Sequence, residues 1–149
     1  MKVKDVMIKK VKSVLPDLLV SEALDILSSN KISGLPVINK EDKLVGMFTE
    51  KEILQNILPG YLKKVGSFVY QDNPKAIANK VKELLQGKKV FEIMREEIIT
   101  VSSEVPLSEV ARTMITEKIR RIPVVDEQGN VIGIISREDV VKSFIKGEI

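Results

Sequence analysis

Two short stretches of this 149-residue chain carry the residue types that could hold a phosphate and a sugar: Gly46-Met-Phe-Thr49-Glu-Lys-Glu52 and Gly133-Ile-Ile-Ser136-Arg-Glu-Asp139. Each sets a hydroxyl three residues ahead of a carboxylate, where a hairpin ends and a helix starts. One chemistry available to them is structural. In a capping box, Thr49 or Ser136 accepts the amide of the third helical residue, and Glu52 or Asp139 returns to the amide of the cap. The other chemistry uses the same geometry for a ligand. Free amides and a hydroxyl at a helix N-terminus attract phosphate, and a nearby carboxylate accepts both hydroxyls of a ribose. A nucleotide satisfies both halves.

A second pair of elements has the same two-sided character. Pro36 and Pro123 could open edge strands, where a missing amide hydrogen does no harm. Alternatively, each proline ring and its aliphatic neighbour, Leu35 or Ile122, could form a flat apolar wall for a purine. Arg120 and Arg121 precede the second wall, and an arginine fork suits phosphate better than an ammonium does.

Composition removes much other chemistry. The chain has no Cys and no His, which excludes disulfides, thiolate and imidazole catalysis and nearly every zinc or haem site. There is no Walker-type loop, GxGxxG, EF-hand spacing or nucleophile elbow. Neighbouring acids such as Glu96-Glu97 would point to opposite faces of a strand and could not share a metal or a proton. No catalytic residue and no metal site are therefore expected. Apolar runs are only a few residues long, and MKVKDVMIKKVK alternates charge with single hydrophobes, so neither a membrane span nor a signal peptide is expected and a cytoplasmic location follows. The 24 Lys and Arg against 21 Asp and Glu give a net charge of only +3, which announces no nucleic-acid or membrane partner. A Lys- and Glu-rich chain without Cys is compatible with a thermophilic source.

The elements that must position these residues occur twice. At an offset of 87, residues 2–58 align with 89–145 without a gap, pairing Met7 with Met94, Val14 with Val101, Gly46 with Gly133, and Ile32-Ser-Gly-Leu-Pro36-Val37 with Ile119-Arg-Arg-Ile-Pro123-Val124. Each copy reads as strand, helix, strand, strand, helix. In the second copy these are Ile98–Val101, a helix opened by Pro106 and ended by Lys118, Ile122–Asp126, Val131–Ile135, and a helix from Ser136 with Val140, Val141, Phe144 and Ile145 on its apolar face. The counterparts of those four are Ile53, Leu54, Ile57 and Leu58. The fold class is thus α/β in the α+β sense: two βαββα repeats, residues 1–58 and 88–149, packed with pseudo-twofold symmetry around a helical insert, residues 59–87. In that insert Pro59-Gly60 should close the preceding helix, and Asn73 should cap a new one from Pro74 with an Ile77, Val81, Leu84, Leu85 stripe, ended by Gly87. Residues 59–89 hold seven lysines against Asp72 and Glu83. With no groove-reading pattern, they read as a solvated face rather than a nucleic-acid site.

The assembled pattern resembles a tandem pair of cystathionine-beta-synthase (CBS) domains. The resemblance covers nearly the whole chain and rests on Asp5-Val-Met7 and Glu92-Ile-Met94, Ile99-Thr-Val101, Arg120-Arg-Ile-Pro-Val-Val-Asp126 and Gly133-Ile-Ile-Ser-Arg-Glu-Asp139. It implies clefts between the copies that take AMP, ADP, ATP or S-adenosylmethionine, with no cofactor required, and modules that pair into homodimers and act on a regulated partner protein. In the second site it implies ribose on Asp139, phosphate near Ser136 with Arg120 and Arg121, and adenine lined by the backbone of Thr100 and Val101 with Ile122 and Pro123 opposite. The first-site counterparts are Ser13, Val14, Leu35, Pro36, Thr49 and Glu52. That copy departs from the pattern, with a carboxylate one methylene longer and Leu15-Pro16 after the slot, so the second site is preferred. The expected function is a non-catalytic, ligand-sensing regulatory module. Its rivals are a ligand-free dimerisation unit and a nucleotide-acting enzyme.

Overall fold

The computed structural model describes residues 1–65 and 74–147. In chain order the elements are α1 (Val3–Val6), α2 (Val20–Asn30), β1 (Gly34–Ile38), β2 (Leu44–Thr49), α3 (Glu50–Val65), α4 (Pro74–Leu85), α5 (Val90–Ile93), α6 (Leu107–Thr116), β3 (Arg121–Val125), β4 (Val131–Ser136) and α7 (Arg137–Lys146). The class is α+β, with two small sheets, β1-β2 and β3-β4.

The chain condenses into two compact units that do not follow the repeats. One comprises Met1–Lys12, Asn39–Leu44 and Glu97–Ile149, the other Ser13–Ile38 and Val45–Glu96. Backbone pairing accounts for the exchange. β3 and β4 are antiparallel, with Pro123 opposite Ile134, and β4 gains a further neighbour from the start of the chain, because Ile8 and Ile134 exchange both amide hydrogen bonds at 2.8 and 3.0 Å. In the other unit Arg95 and Met47 exchange both bonds at 2.9 Å, which adds the start of the second repeat to β2. Pro123 fits this ladder because Ile134 directs its amide and carbonyl to Ile8 and requires nothing from the residue opposite.

The expected opening strands are reduced to single bridges. Val14 pairs in parallel with Val37 and Val101 with Val124, and residues 96–100 form no strand. Parallel pairing to a strand of only five residues leaves room for little more.

Each unit has its own core, and the two are equivalent position by position. Val20, Ala23, Leu27, Leu35, Val37, Phe48 and Ile53 are buried in one; Leu107, Val110, Met114, Ile122, Val124, Ile135 and Val140, each 87 residues later, are buried in the other. Full burial of such side chains contributes about 1.5–3 kcal/mol apiece. Only the α1 and α5 contributions change hands: Val3 joins the second set and Val90 the first. Lys31 and Lys118, again 87 apart, are both left-handed at φ 53° and 55° where α2 and α6 end.

Three expectations about the helices need correction. The helix α3 does not stop at Pro59-Gly60 but continues to Val65; the fixed φ of proline is itself helical, so a helix can pass it at the loss of one hydrogen bond. Of the apolar face expected on α7, only Val140 is buried; Val141, Phe144 and Ile145 are 48%, 51% and 79% exposed, as is Leu54 at 56%. One helical turn presents about a third of its circumference to a core, and Val140 fills it. In the insert, α4 begins at Pro74 as expected, and Leu85 and Val81 pack on the core, whereas Ile77 and Leu84 stay outside it. The Asn73 cap lies outside the described residues.

Candidate functional site

At the start of α7 the second-repeat motif is a complete capping box. Ser136 is the N-cap, with extended backbone. Its Oγ accepts the Asp139 amide at 3.2 Å, and Asp139 Oδ2 accepts the Ser136 amide at 3.2 Å and the Ser136 hydroxyl at 2.7 Å. The structural chemistry of the motif is therefore present in full. It consumes only one carboxylate oxygen, however, and the residue is partly exposed. Asp139 borders a cavity of about 490 Å³ lined by Met1, Asp5, Val6, Lys142, Ser143 and Lys146. Because residues three, four and seven apart share a helix face, Asp139, Lys142, Ser143 and Lys146 form one wall and α1 the other. A hydrogen bond from Lys142 to the Glu138 carboxylate raises the Lys142 pKa above its ordinary 10.5, so this ammonium stays charged.

The remaining second-site residues are placed differently. Ile122 in the second repeat and Leu35 in the first are fully buried in the cores; on an alternating strand their neighbours Pro123 and Pro36 take the opposite face. The Val101 backbone is tied to β3, its amide donating to the Pro123 carbonyl at 3.2 Å and its carbonyl accepting from Val125 at 3.0 Å. Val14 is committed in the same way to Pro36 and Ile38. The exposed residues Thr100 and Ser13 precede these bridges. Arg120 is exposed and Arg121 half-buried; the carbonyl of Arg120 accepts the first helical amide of α7, Arg137, at 2.7 Å, tying the start of β3 to the helix N-terminus. The cavity thus brings Asp139 together with lysines that the sequence patterns did not single out and with α1, which carries Asp5 and Val6 of the Asp5-Val-Met7 motif.

The first-repeat motif is built alike but lies deeper. Glu52 is 4% exposed and Thr49 8%. Glu52 Oε2 accepts both the amide of Thr49, at 3.2 Å, and its hydroxyl. Its other oxygen, Oε1, faces Arg95 Nη1 at 3.9 Å. Sequence reasoning passed over Arg95. The signal was the repeat register itself, which sets this arginine against Ile8 immediately after the paired Met94 and Met7.

Among the described residues, no group of three or more Asp or Glu side chains is arranged to hold a metal ion, and no helix is long and apolar enough to cross a membrane. A duplicated α+β unit whose repeats exchange their leading segments, each ending in a hydroxyl-carboxylate helix cap, is the architecture of a paired two-repeat module. The family model for the CBS domain matches residues 3–59 and again 90–146, and the chain belongs to the CBS domain family as a tandem pair. An uncharacterised protein of Methanocaldococcus jannaschii is 32% identical over 161 residues, covering 97% of this chain and 92% of that one. Other curated relatives are longer, the chain spanning 23% of one and 58% of another. Among solved structures, CBSX2 in complex with AMP, a protein of Arabidopsis thaliana, superposes with a TM-score of 0.76 at 29% identity, covering 99% of this chain and 98% of that one. The CBS domain pair of protein MJ0100, in complex with 5′-methylthioadenosine and S-adenosyl-L-methionine, superposes at 0.73 and 29% identity with the same coverage.

Proposed function

We propose that this CBS pair is a regulatory module that binds an adenosine-containing ligand, AMP, ADP, ATP or S-adenosylmethionine, and has no catalytic activity of its own. The observation that carries the reading is Asp139. One of its oxygens completes the helix cap, and the residue borders a cavity lined by Lys142 and Lys146. A carboxylate for ribose hydroxyls next to ammonium groups for an anion is the complement of a nucleotide. CBSX2 and protein MJ0100, solved with adenosine compounds, support the same ligand class. The second site is the stronger, because Glu52 is already enclosed. The module works as a homodimer in the cytoplasm and passes ligand occupancy to a regulated protein, which requires the ligand to prefer one conformation over another.

The completeness of the Ser136–Asp139 cap favours one rival, a dimerisation unit without ligand. A thermal-shift panel of adenosine, AMP, ADP, ATP, S-adenosylmethionine and NAD, with GTP as control, separates the two. At about 100 times the dissociation constant, a ligand of the native state adds roughly 2.7 kcal/mol, about 5–10 °C for a chain of this size. No shift with any adenine compound at millimolar concentration overturns the sensor reading. Release of products from ATP overturns the non-catalytic one.

A further inference from the structure

We infer that Arg95 makes the first repeat's site selective for anionic adenosine ligands, an inference that rests on the nucleotide-sensing reading above. The arginine is held at the edge of β2 by two backbone hydrogen bonds to Met47, both 2.9 Å, so its side chain starts from a fixed point. The guanidinium reaches Glu52, but the 3.9 Å separation from Oε1 is an ion pair longer than a hydrogen bond. Its Nε is buried and has no hydrogen-bond partner among the described residues. The site therefore holds an acceptor, Glu52 Oε1, that meets the guanidinium only as a long ion pair through Nη1, and a donor, Arg95 Nε, with no hydrogen bond, while the arginine side chain remains 29% exposed.

A ligand completes this arrangement only if it carries both complements: hydroxyls that donate to Glu52 Oε1, and an anionic oxygen that accepts from Arg95. A nucleoside 5′-phosphate has both. A neutral nucleoside satisfies the carboxylate while parting it from its cation, which leaves a buried charge uncompensated. In the second repeat the corresponding position is Ile8, which provides no such cation.

The test titrates the full chain by calorimetry with AMP and with adenosine, in an Asp139→Ala background that silences the second site. AMP is expected to bind about tenfold or more tightly than adenosine, as suits a charge-assisted contact. Arg95→Gln should bring the ratio to about one by weakening AMP, and Arg95→Lys should retain most of it. If Arg95→Gln does not fold, the Arg95→Gln/Glu52→Gln pair leaves no buried charge alone, and the preference must vanish there too. An unchanged ratio without Arg95, equal affinities in the Asp139→Ala parent, or no binding to that parent while the wild type binds, each overturns the assignment. Absence of binding to the wild type is a different result, the failure of the sensor reading itself.

Discussion

The sulfur of Met7 occupies the space that a side chain on Gly133 would need: an ideal Cβ there would fall 2.5 Å from Met7 Sδ and 3.2 Å from the Ile8 carbonyl oxygen. Met94 closes on Gly46 in the same way. Each methionine lies across a glycine of the other repeat, so the motif pairs that look like a simple duplication are interlocking parts. Gly133→Ala should destabilise the chain by about 1–3 kcal/mol through overpacking, and Gly46→Ala by a similar amount. Met7→Ala added to Gly133→Ala should recover part of the loss, whereas adding it to Gly46→Ala should not. Urea denaturation of the four variants gives the comparison.

The sequence made the elements legible but not this exchange. Offsets of 87 locate both hairpins, both capped helices and every matching core position, because the period of the apolar residues is set by the local element. Nothing in a repeat states whether Met7 meets its own Gly46 or the other repeat's Gly133, since both pairings satisfy the same pattern. The same limit explains the site. Ser136 and Asp139 are three residues apart, and their geometry follows from a helix N-terminus. Arg95 and Glu52 meet only through the strand pairing of Arg95 with Met47, and the burial of Leu35 and Ile122 depends on which strand face the core takes.

The second-repeat carboxylate offers a sharper choice between ligand and cap. If Asp139 holds both ribose hydroxyls, Asp139→Ala removes hydrogen bonds to a charged group worth roughly 1.5–3 kcal/mol, about a tenfold to 150-fold loss of affinity. A cap alone would cost about 0.5–2 kcal/mol of stability and leave affinity unchanged. Calorimetric titration beside melting temperatures distinguishes them. Glu52→Ala should weaken binding less but also lower stability, by about 1–3 kcal/mol, because it leaves the buried Thr49 amide without its acceptor.

Stability should fall in acid partly through Glu104. Hydrogen bonds from Lys2 and Lys4, at 2.7 and 2.8 Å, hold its carboxyl down from the ordinary 4.5 to about 2. A depressed folded value means that this contribution is fully present above pH 4.5 and is lost as the pH falls towards 2. Asp126, lowered by the backbone amide of Asn130, acts in the same direction. Lys4, raised by its hydrogen bond to Glu104, contributes below its ordinary 10.5 and loses that contribution in stronger alkali. Melting temperatures of wild type and Glu104→Gln should differ by a constant amount above pH 5 and converge near pH 2. The Lys2, Lys4 and Glu104 side chains are exposed, so the difference should shrink in 1 M salt, where the screening length is about 3 Å.

The apolar face of α7 makes a prediction about assembly. At about 100° per residue, Val141, Phe144 and Ile145 lie on the side of the helix turned away from Asp139, Ser143 and Lys146, and none of the three is buried. A second copy that covers this face would remove the aromatic ring of Phe144 from water without touching the cavity wall. Light scattering should then report twice the 16.7 kDa chain mass. A charge in the centre of such a patch commonly costs about 2 kcal/mol or more, so Phe144→Glu should weaken the dimer about 30-fold and yield monomer at micromolar concentration. Because the substituted face is not the ligand face, nucleotide affinity per chain should stay within about twofold. A monomeric wild type would overturn the dimer itself, and a Phe144→Glu variant that remains fully dimeric would place the interface elsewhere.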